Sequence, residues 1–351
     1  MKIKFYIFIF LLLALMLSFS SLSRAQNFSK INDSCSIFSV SIGNTTYFGN
    51  NEDYLLNGSY MWLIPRQDYQ IGDEILNLPG LMLLGFDHNN QPEIDGKMQG
   101  GMNEYGLCWD ANGLPPVPMN RNISGKEVWN LTYPIWVWMQ TLLECRNVSD
   151  VVKWFQTHDL GDELGGQAQY CDANGDAVVV SVNSTGNLTF TTIGEKNYIV
   201  STNFNVAWPE NHYDPYPCPR YETITNMLNN ITTEEELTPQ ACQDILKAVA
   251  TSETSYSNVF DPVHKEIYLN IYQDFSKTVH LNLQEELQKV TANTKDTLHN
   301  QSYYYKEILM ADLFKSNSIP SYIPLLVVLT ILISSCALAL FLSLKRKIFL
   351  N

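Results

Sequence analysis

Positive charge is scarce in this chain. Of its 351 residues only 22 are Lys or Arg, against 36 Asp or Glu, for a formal net charge of -14. Setting aside Lys2, Lys4 and Arg24 at one end and Lys345, Arg346 and Lys347 at the other leaves 16 basic against 36 acidic residues. A surface of that sign repels phosphate backbones, which argues against a nucleic-acid partner. Zinc-ligand spacing is also missing: there is no Cys-x-x-Cys, no His-x-x-x-His, and the six histidines are scattered, so no metal or other cofactor is expected. No internal repeat is visible. With 45% apolar, 12% aromatic and 17% charged residues, the composition excludes disorder and collagen.

Charge disappears altogether in two stretches. Near the start, a basic beginning is followed by an apolar run from Phe5 to Phe19 and then Ser23-Arg24-Ala25, the pattern of a secretory signal with small residues at its cleavage site; an uncleaved anchor is the alternative. Near the end, Pro324 to Leu344 runs 21 residues without a charge and is followed by Lys345-Arg346-Lys347. About 20 apolar residues span the hydrocarbon layer, and basic residues favour the cytoplasmic side. The expectation is a single-pass type I membrane protein whose bulk lies outside the cytosol. Eleven Asn-x-Ser/Thr sequons, at Asn27, Asn32, Asn44, Asn57, Asn122, Asn130, Asn147, Asn183, Asn187, Asn230 and Asn300, agree with that placement.

Cysteine arithmetic leaves two readings open. Apart from Cys336 in the membrane run, six cysteines (Cys35, Cys108, Cys145, Cys171, Cys218 and Cys242) face an oxidising space, where three bridges are the ordinary outcome. If Cys35 is instead a working thiol, at least one of the remaining five is unpaired.

Alternation from Ser36 to Ile42, the Gly43-Asn44 turn and a return from Thr45 to Phe48 predict a hairpin that opens with a cysteine. Further strands are expected at Leu81–Phe86, Gly106–Trp109, Ala177–Val182, Leu188–Thr192, Tyr198–Thr202, Ser257–Asp261 and Glu266–Ile271. Helical periodicity favours Trp129–Leu143, Val148–Thr157, Cys218–Asn229 and Pro239–Thr251. Hairpins separated by blocks of helix make an α+β protein rather than a βαβ repeat. The polar stretch from about Gln288 to Ser318 reads as a stalk, with helical character near Tyr303–Phe314. Trp129, Trp136 and Trp138 either line an acyl pocket or pack a core.

Directly after the hairpin comes Gly49-Asn50-Asn51-Glu52-Asp53-Tyr54. A cysteine opening a hairpin whose return strand ends in Gly-x-Asn-x-Asp resembles the N-terminal-nucleophile (Ntn) hydrolases of the linear-amide class, among them choloylglycine hydrolases, penicillin V acylases, isopenicillin-N acyltransferase-like peptidases and, more distantly, acid ceramidase. Gly101-Met102-Asn103-Glu104-Tyr105-Gly106-Leu107, Asp110-Ala111-Asn112-Gly113, Asp172-Ala173-Asn174-Gly175, Thr202-Asn203, Arg220 and Ser257–Asp261 follow in the order of the family's marks. The resemblance covers roughly Cys35 to Phe275.

That resemblance implies an αββα four-layer sandwich; taken with the apolar and polar stretches above, the expected chain divides into signal peptide 1–25, propeptide 26–34, catalytic domain 35–287, stalk 288–320, transmembrane helix 321–344 and cytoplasmic tail 345–351. It implies an amidohydrolase, with acyltransferase activity sharing the mechanism, acting on a small-molecule amide. Cys35, freed by cleavage after Ser34, is the expected nucleophile, its own α-amine serving as base. Asp53 would orient that amine, Asn112 and Asn203 would form the oxyanion hole, and Arg220 would lie near the thiol and lower its pKa. Choloylglycine hydrolases carry arginine where this chain has Asn50, which makes bile salts less expected as substrates. The rival reading is a glycosylated receptor or adhesion ectodomain on a degenerate enzyme fold, with Cys35 tied in a disulfide.

Overall fold

A computed structural model describes residues 35–54, 58–71, 74–86, 98–120, 127–128, 137–161, 163–213, 216–290, 295–298 and 301–315. The expected signal, propeptide, membrane run and tail lie outside these residues, as do Trp129 and Trp136. Among the described residues no helix is long and apolar enough to cross a membrane.

Among the described residues, fourteen strands build two large sheets. In chain order they are β1 (Ser36–Ile42), β2 (Thr45–Asp53), β3 (Ser59–Ile64), β4 (Leu81–Phe86), β5 (Met98–Asn103), β6 (Cys108–Pro118), β7 (Glu163–Cys171), β8 (Ala177–Val182), β9 (Leu188–Thr192), β10 (Tyr198–Ser201), β11 (Thr254–Asp261), β12 (Glu266–Ile271), β13 (Val279–Asn282) and β14 (Lys306–Leu309). Six form one sheet in the order β10-β1-β2-β11-β12-β13, and eight form the other in the order β9-β8-β7-β6-β5-β4-β3-β14. Helices α1 (Val137–Glu144) and α2 (Val148–Thr157) belong with the second sheet, α3 (Pro219–Leu228) and α4 (Pro239–Val249) with the first.

The period-two alternation of each strand explains the layering. In β1, Phe38 and Val40 face α3 and α4, packing with Ile224, Leu228 and Ile245. Ile37, on the opposite face, meets Met61, Met82 and Val179 between the sheets. Beyond the second sheet, Trp109, Tyr170 and Val180 pack on Leu142, Val151 and Phe155 of α1 and α2. Burying a side chain such as Phe38 or Phe48, both 0% exposed, stabilises the fold by roughly 1.5–3 kcal/mol. Gly49 stands opposite Phe38, whose ring fills the space a Cβ would take, so the first glycine of the motif is required for close approach.

Local signals set the helix starts. Asn147 caps α2 by accepting from the Asp150 amide at 2.9 Å, and Thr238 caps α4 ahead of Pro239 by accepting from Ala241 at 3.1 Å. Two family marks serve the same scaffold. Asn103 donates to the carbonyls of Leu142 and Cys145, both at 2.9 Å, while Asp172 accepts from the Val148 amide at 2.8 Å. Together they fix the α1–α2 layer to the sheet.

The hairpin, β4, β8, β9, β12 and α2 fall where the sequence places them. Other expectations need correcting. The strand expected at Gly106–Trp109 runs from Cys108 to Pro118, and β3, β5 and β7 were not foreseen. The segment assigned to a stalk returns to the second sheet: β14 pairs with β3, Ile308 opposite Met61, and Met310 after it is fully buried. The folded unit therefore extends past residue 287. An edge strand buries one face only, so its composition passes for a linker. Trp138 is a core residue, 5.8 Å from Phe155 between ring centroids. Of the sequons, Asn44, Asn187 and Asn230 are exposed.

Candidate active site

Cys35 immediately precedes β1 and is 4% exposed. It is a free thiol, as are Cys108, Cys145, Cys171, Cys218 and Cys242. Of the two readings left open, the three bridges are not formed among the described residues. The inter-sheet face that is apolar around Phe48 and Phe260 becomes polar at the end where Cys35 sits. Alternation accounts for this: in β6, Cys108 lies on the inter-sheet face, so Asp110 and Asn112 share it. In β2, Phe48 lies on that face, so Asn50 and Glu52 do too.

All five expected catalytic residues converge here. Arg220, in the first turn of α3, donates through Nη1 to the Cys35 carbonyl at 2.7 Å and to the Ser36 hydroxyl at 2.6 Å. Through Nη2 it reaches Asn203 Oδ1 at 3.1 Å. Asn112 Nδ2 donates to the same Cys35 carbonyl at 3.3 Å. The amide of Asn203 donates to the Gly113 carbonyl at 3.1 Å. Asp53 is fully buried; its Oδ2 lies 3.9 Å from Arg220, and its Oδ1 accepts from the Thr254 hydroxyl. Asn50, where choloylglycine hydrolases carry arginine, faces Asn258 at 3.5 Å, a neutral pair.

The electrostatics differ from the expectation of a thiol activated by a cation. Burial pushes the Cys35 thiol well above the ordinary range, and the charges of Glu52, Asp110 and Asp53 push it further; a hydrogen bond to the Asp53 backbone acts the other way. Arg220 donates to the backbone carbonyl of Cys35. The sulfur also donates to Glu52 Oε1, at 3.3 Å.

Four residues at this site were not foreseen as functional. Glu52 and Asp110 form a buried acidic pair, in which burial and the charge of Glu52 push the Asp110 carboxyl up. Gly100 lies opposite Asp110, and a Cβ there would overlap that carboxyl. Tyr256, 0% exposed, has its phenol pushed up by burial and by the charges of Glu52, Asp110 and Cys35. Gln167 donates to the carbonyls of Thr202 and Phe204, both at 2.8 Å, accepts from the Val206 amide at 3.0 Å, and reaches Asn112 Oδ1 at 3.4 Å. It thereby sets the loop carrying Asn203 and the orientation of Asn112. Glu52 and Asp110 both lie inside quoted motifs, and their alternation with Phe48 and Cys108 is the signal that places them on one face.

Residues 40–295 match the family model described as acyl-coenzyme A:6-aminopenicillanic acid acyl-transferase. The chain belongs to this acyl-transferase family. It is an Ntn hydrolase and an enzyme of the amide-bond hydrolase and acyltransferase class. Among solved structures it is similar to a point mutant of conjugated bile acid hydrolase from Clostridium perfringens, with a TM-score of 0.53 and 13% identity, covering 78% of this chain and 96% of that one. A second variant of the same hydrolase gives a TM-score of 0.52 at 13% identity, covering 78% and 97%. Penicillin V acylase from Agrobacterium tumefaciens matches with a TM-score of 0.47 at 13% identity over 68% and 82%. No curated protein sequence matches. At this identity the structural likeness establishes the Ntn fold, mostly sheet with some helices, while the acyl-transferase model establishes the family.

Proposed function

We propose that this acyl-transferase family member is a cysteine-nucleophile amidohydrolase that cleaves linear carbon–nitrogen amide bonds through an acyl-thioester on Cys35. The observation that carries the reading is the Cys35 backbone carbonyl held from two sides, by Arg220 at 2.7 Å and Asn112 at 3.3 Å, beside a free thiol. A disulfide-tied receptor ectodomain would need neither feature.

Cleavage between Ser34 and Cys35 makes the α-amine of Cys35 available. Its ordinary pKa of ~7.7–8.0 suits it to take the thiol proton at neutral pH. Asp53, buried beside the Arg220 guanidinium, supports the charge that forms on the amine. Arg220 fixes the nucleophile's backbone. The amides of Asn112 and Asn203 receive the tetrahedral oxyanion, a donor role whose loss typically costs ~10²- to 10³-fold in rate. Water resolves the thioester in hydrolysis and an amine resolves it in transfer.

The substrate is a small N-acyl amine or peptide-like amide. The neutral Asn50–Asn258 pair takes the place of the cation that choloylglycine hydrolases carry, so bile salts are not the favoured class. The catalytic unit stands as an αββα sandwich outside the cytosol, N-glycosylated and tethered by residues 321–344, after loss of signal 1–25 and propeptide 26–34. Sequencing the mature N-terminus, with thiol-probe labelling of wild type and Cys35→Ser, tests the mechanism. A chain beginning at Cys35 and labelling lost in the variant are expected; a mature chain beginning at Gln26, or undiminished labelling, refutes it. A panel of N-acyl amines and small amides then defines the acyl group.

A further inference from the structure

Before the Ser34–Cys35 bond is cut, the nitrogen of Cys35 is an amide and cannot accept a proton. The base assigned to turnover is therefore missing from the one reaction that creates it. The thiol cannot ionise unaided in this setting, because burial and three nearby carboxyl groups oppose a second negative charge. A group already in contact with the sulfur has to take its proton.

We propose that Glu52 is the general base for self-cleavage of the precursor, a role that rests on the N-terminal-cysteine reading above and precedes it in time. Glu52 Oε1 accepts from Cys35 Sγ at 3.3 Å, and the residue is 3% exposed. Its place is fixed by β2, whose register pairs Asn51 with Ser36 and Glu52 with Tyr256, directly beside the nucleophile. The groups around it are Asp53 on the same strand, Asp110 from β6 and Tyr256 from β11. Burial and the charge of Glu52 push the Asp110 carboxyl up, and the hydrogen bond from Sγ is made to Glu52 Oε1.

The step balances without an outside reagent other than water. The Sγ proton passes to Glu52 Oε1 as Sγ bonds to the carbonyl carbon of Ser34. Collapse of the tetrahedral adduct breaks the bond from that carbon to the Cys35 nitrogen, which leaves with the proton returned by Glu52. The propeptide is now a thioester on Sγ and the α-amine is free. Water cleaves the thioester, releasing the Ser34 carboxylate and restoring the thiol. From then on the amine serves as base.

The test follows processing of the full-length chain over time by intact mass and N-terminal sequencing, in wild type, Glu52→Gln and Glu52→Asp. Gln keeps size and a hydrogen-bond acceptor but not basicity; Asp keeps basicity but not reach. Wild type is expected to begin at Cys35, Glu52→Asp to process ~10-fold slower, and Glu52→Gln at least ~10²-fold slower, within the usual scale of general-base catalysis. Processing of Glu52→Gln within a few-fold of wild type, or an equal block in both variants, overturns the assignment. If Glu52→Gln loses its folded circular-dichroism signature, Glu52→Asp decides alone: wild-type speed overturns the role. A wild-type chain that never begins at Cys35 removes the N-terminal-cysteine reading itself, and this inference with it.

Discussion

Arg220 Nη1 and the carbonyl oxygen of Cys35 lie 2.7 Å apart, joining the start of α3 to the residue that opens the first sheet. The same guanidinium also grips Ser36 at 2.6 Å and Asn203 at 3.1 Å. A planar fork makes these contacts together; a lysine ammonium is a point donor on a flexible stem. Arg220→Lys is therefore expected to lower kcat/KM by ~10²-fold, the cost of a small misplacement of reacting groups. Steady-state kinetics on an amide that the wild type hydrolyses checks this, and wild-type kinetics would rule out a positioning role for the fork.

Gln167 holds the Thr202–Val206 loop through two carbonyls and one amide. Gln167→Leu strands these buried groups, and each unsatisfied group costs ~1–3 kcal/mol. The expected result is a fall in unfolding free energy of at least ~2 kcal/mol together with a lower kcat, because Asn203 rides on that loop. Denaturant unfolding and kinetics of the same preparation measure both. A variant as stable as wild type would show that water takes over these bonds.

Asp110 gives a pH dependence whose sign follows from its environment. Its carboxyl is pushed up in the folded state by burial and by Glu52, so the folded protein holds a proton that the unfolded chain loses near its ordinary pKa of ~3.9. Stability is thus undiminished below that pH and falls as pH rises toward the raised folded value. Asp110→Asn, which still accepts from the Ala111 amide, removes this loss. Its melting temperature should rise relative to wild type as pH increases from about 4 to 8. A pH-independent difference between the two proteins would contradict the protonated state of Asp110.

Much of the architecture was legible because strands carry their face in their alternation. β1, β8, β9 and β12 fall where the pattern puts them, and the turn glycines and caps mark most of the rest. β5 was missed because Gln99, Gly100 and Gly101 give it no alternating apolar signal, and β14 because an edge strand needs few apolar residues. The five candidate residues were legible as motifs in the right order, not as a geometry.

Sequence alone determined which side chains share a face and which marks follow one another, since both are properties of local order along one chain. Tertiary structure decided which groups touch. Glu52 accepts from the sulfur, and Arg220 binds the Cys35 backbone carbonyl. The Asp110 carboxyl comes to lie near Glu52 because two separate sheets close on each other. Proximity across a layer depends on packing of the whole core, and no spacing within a motif encodes it.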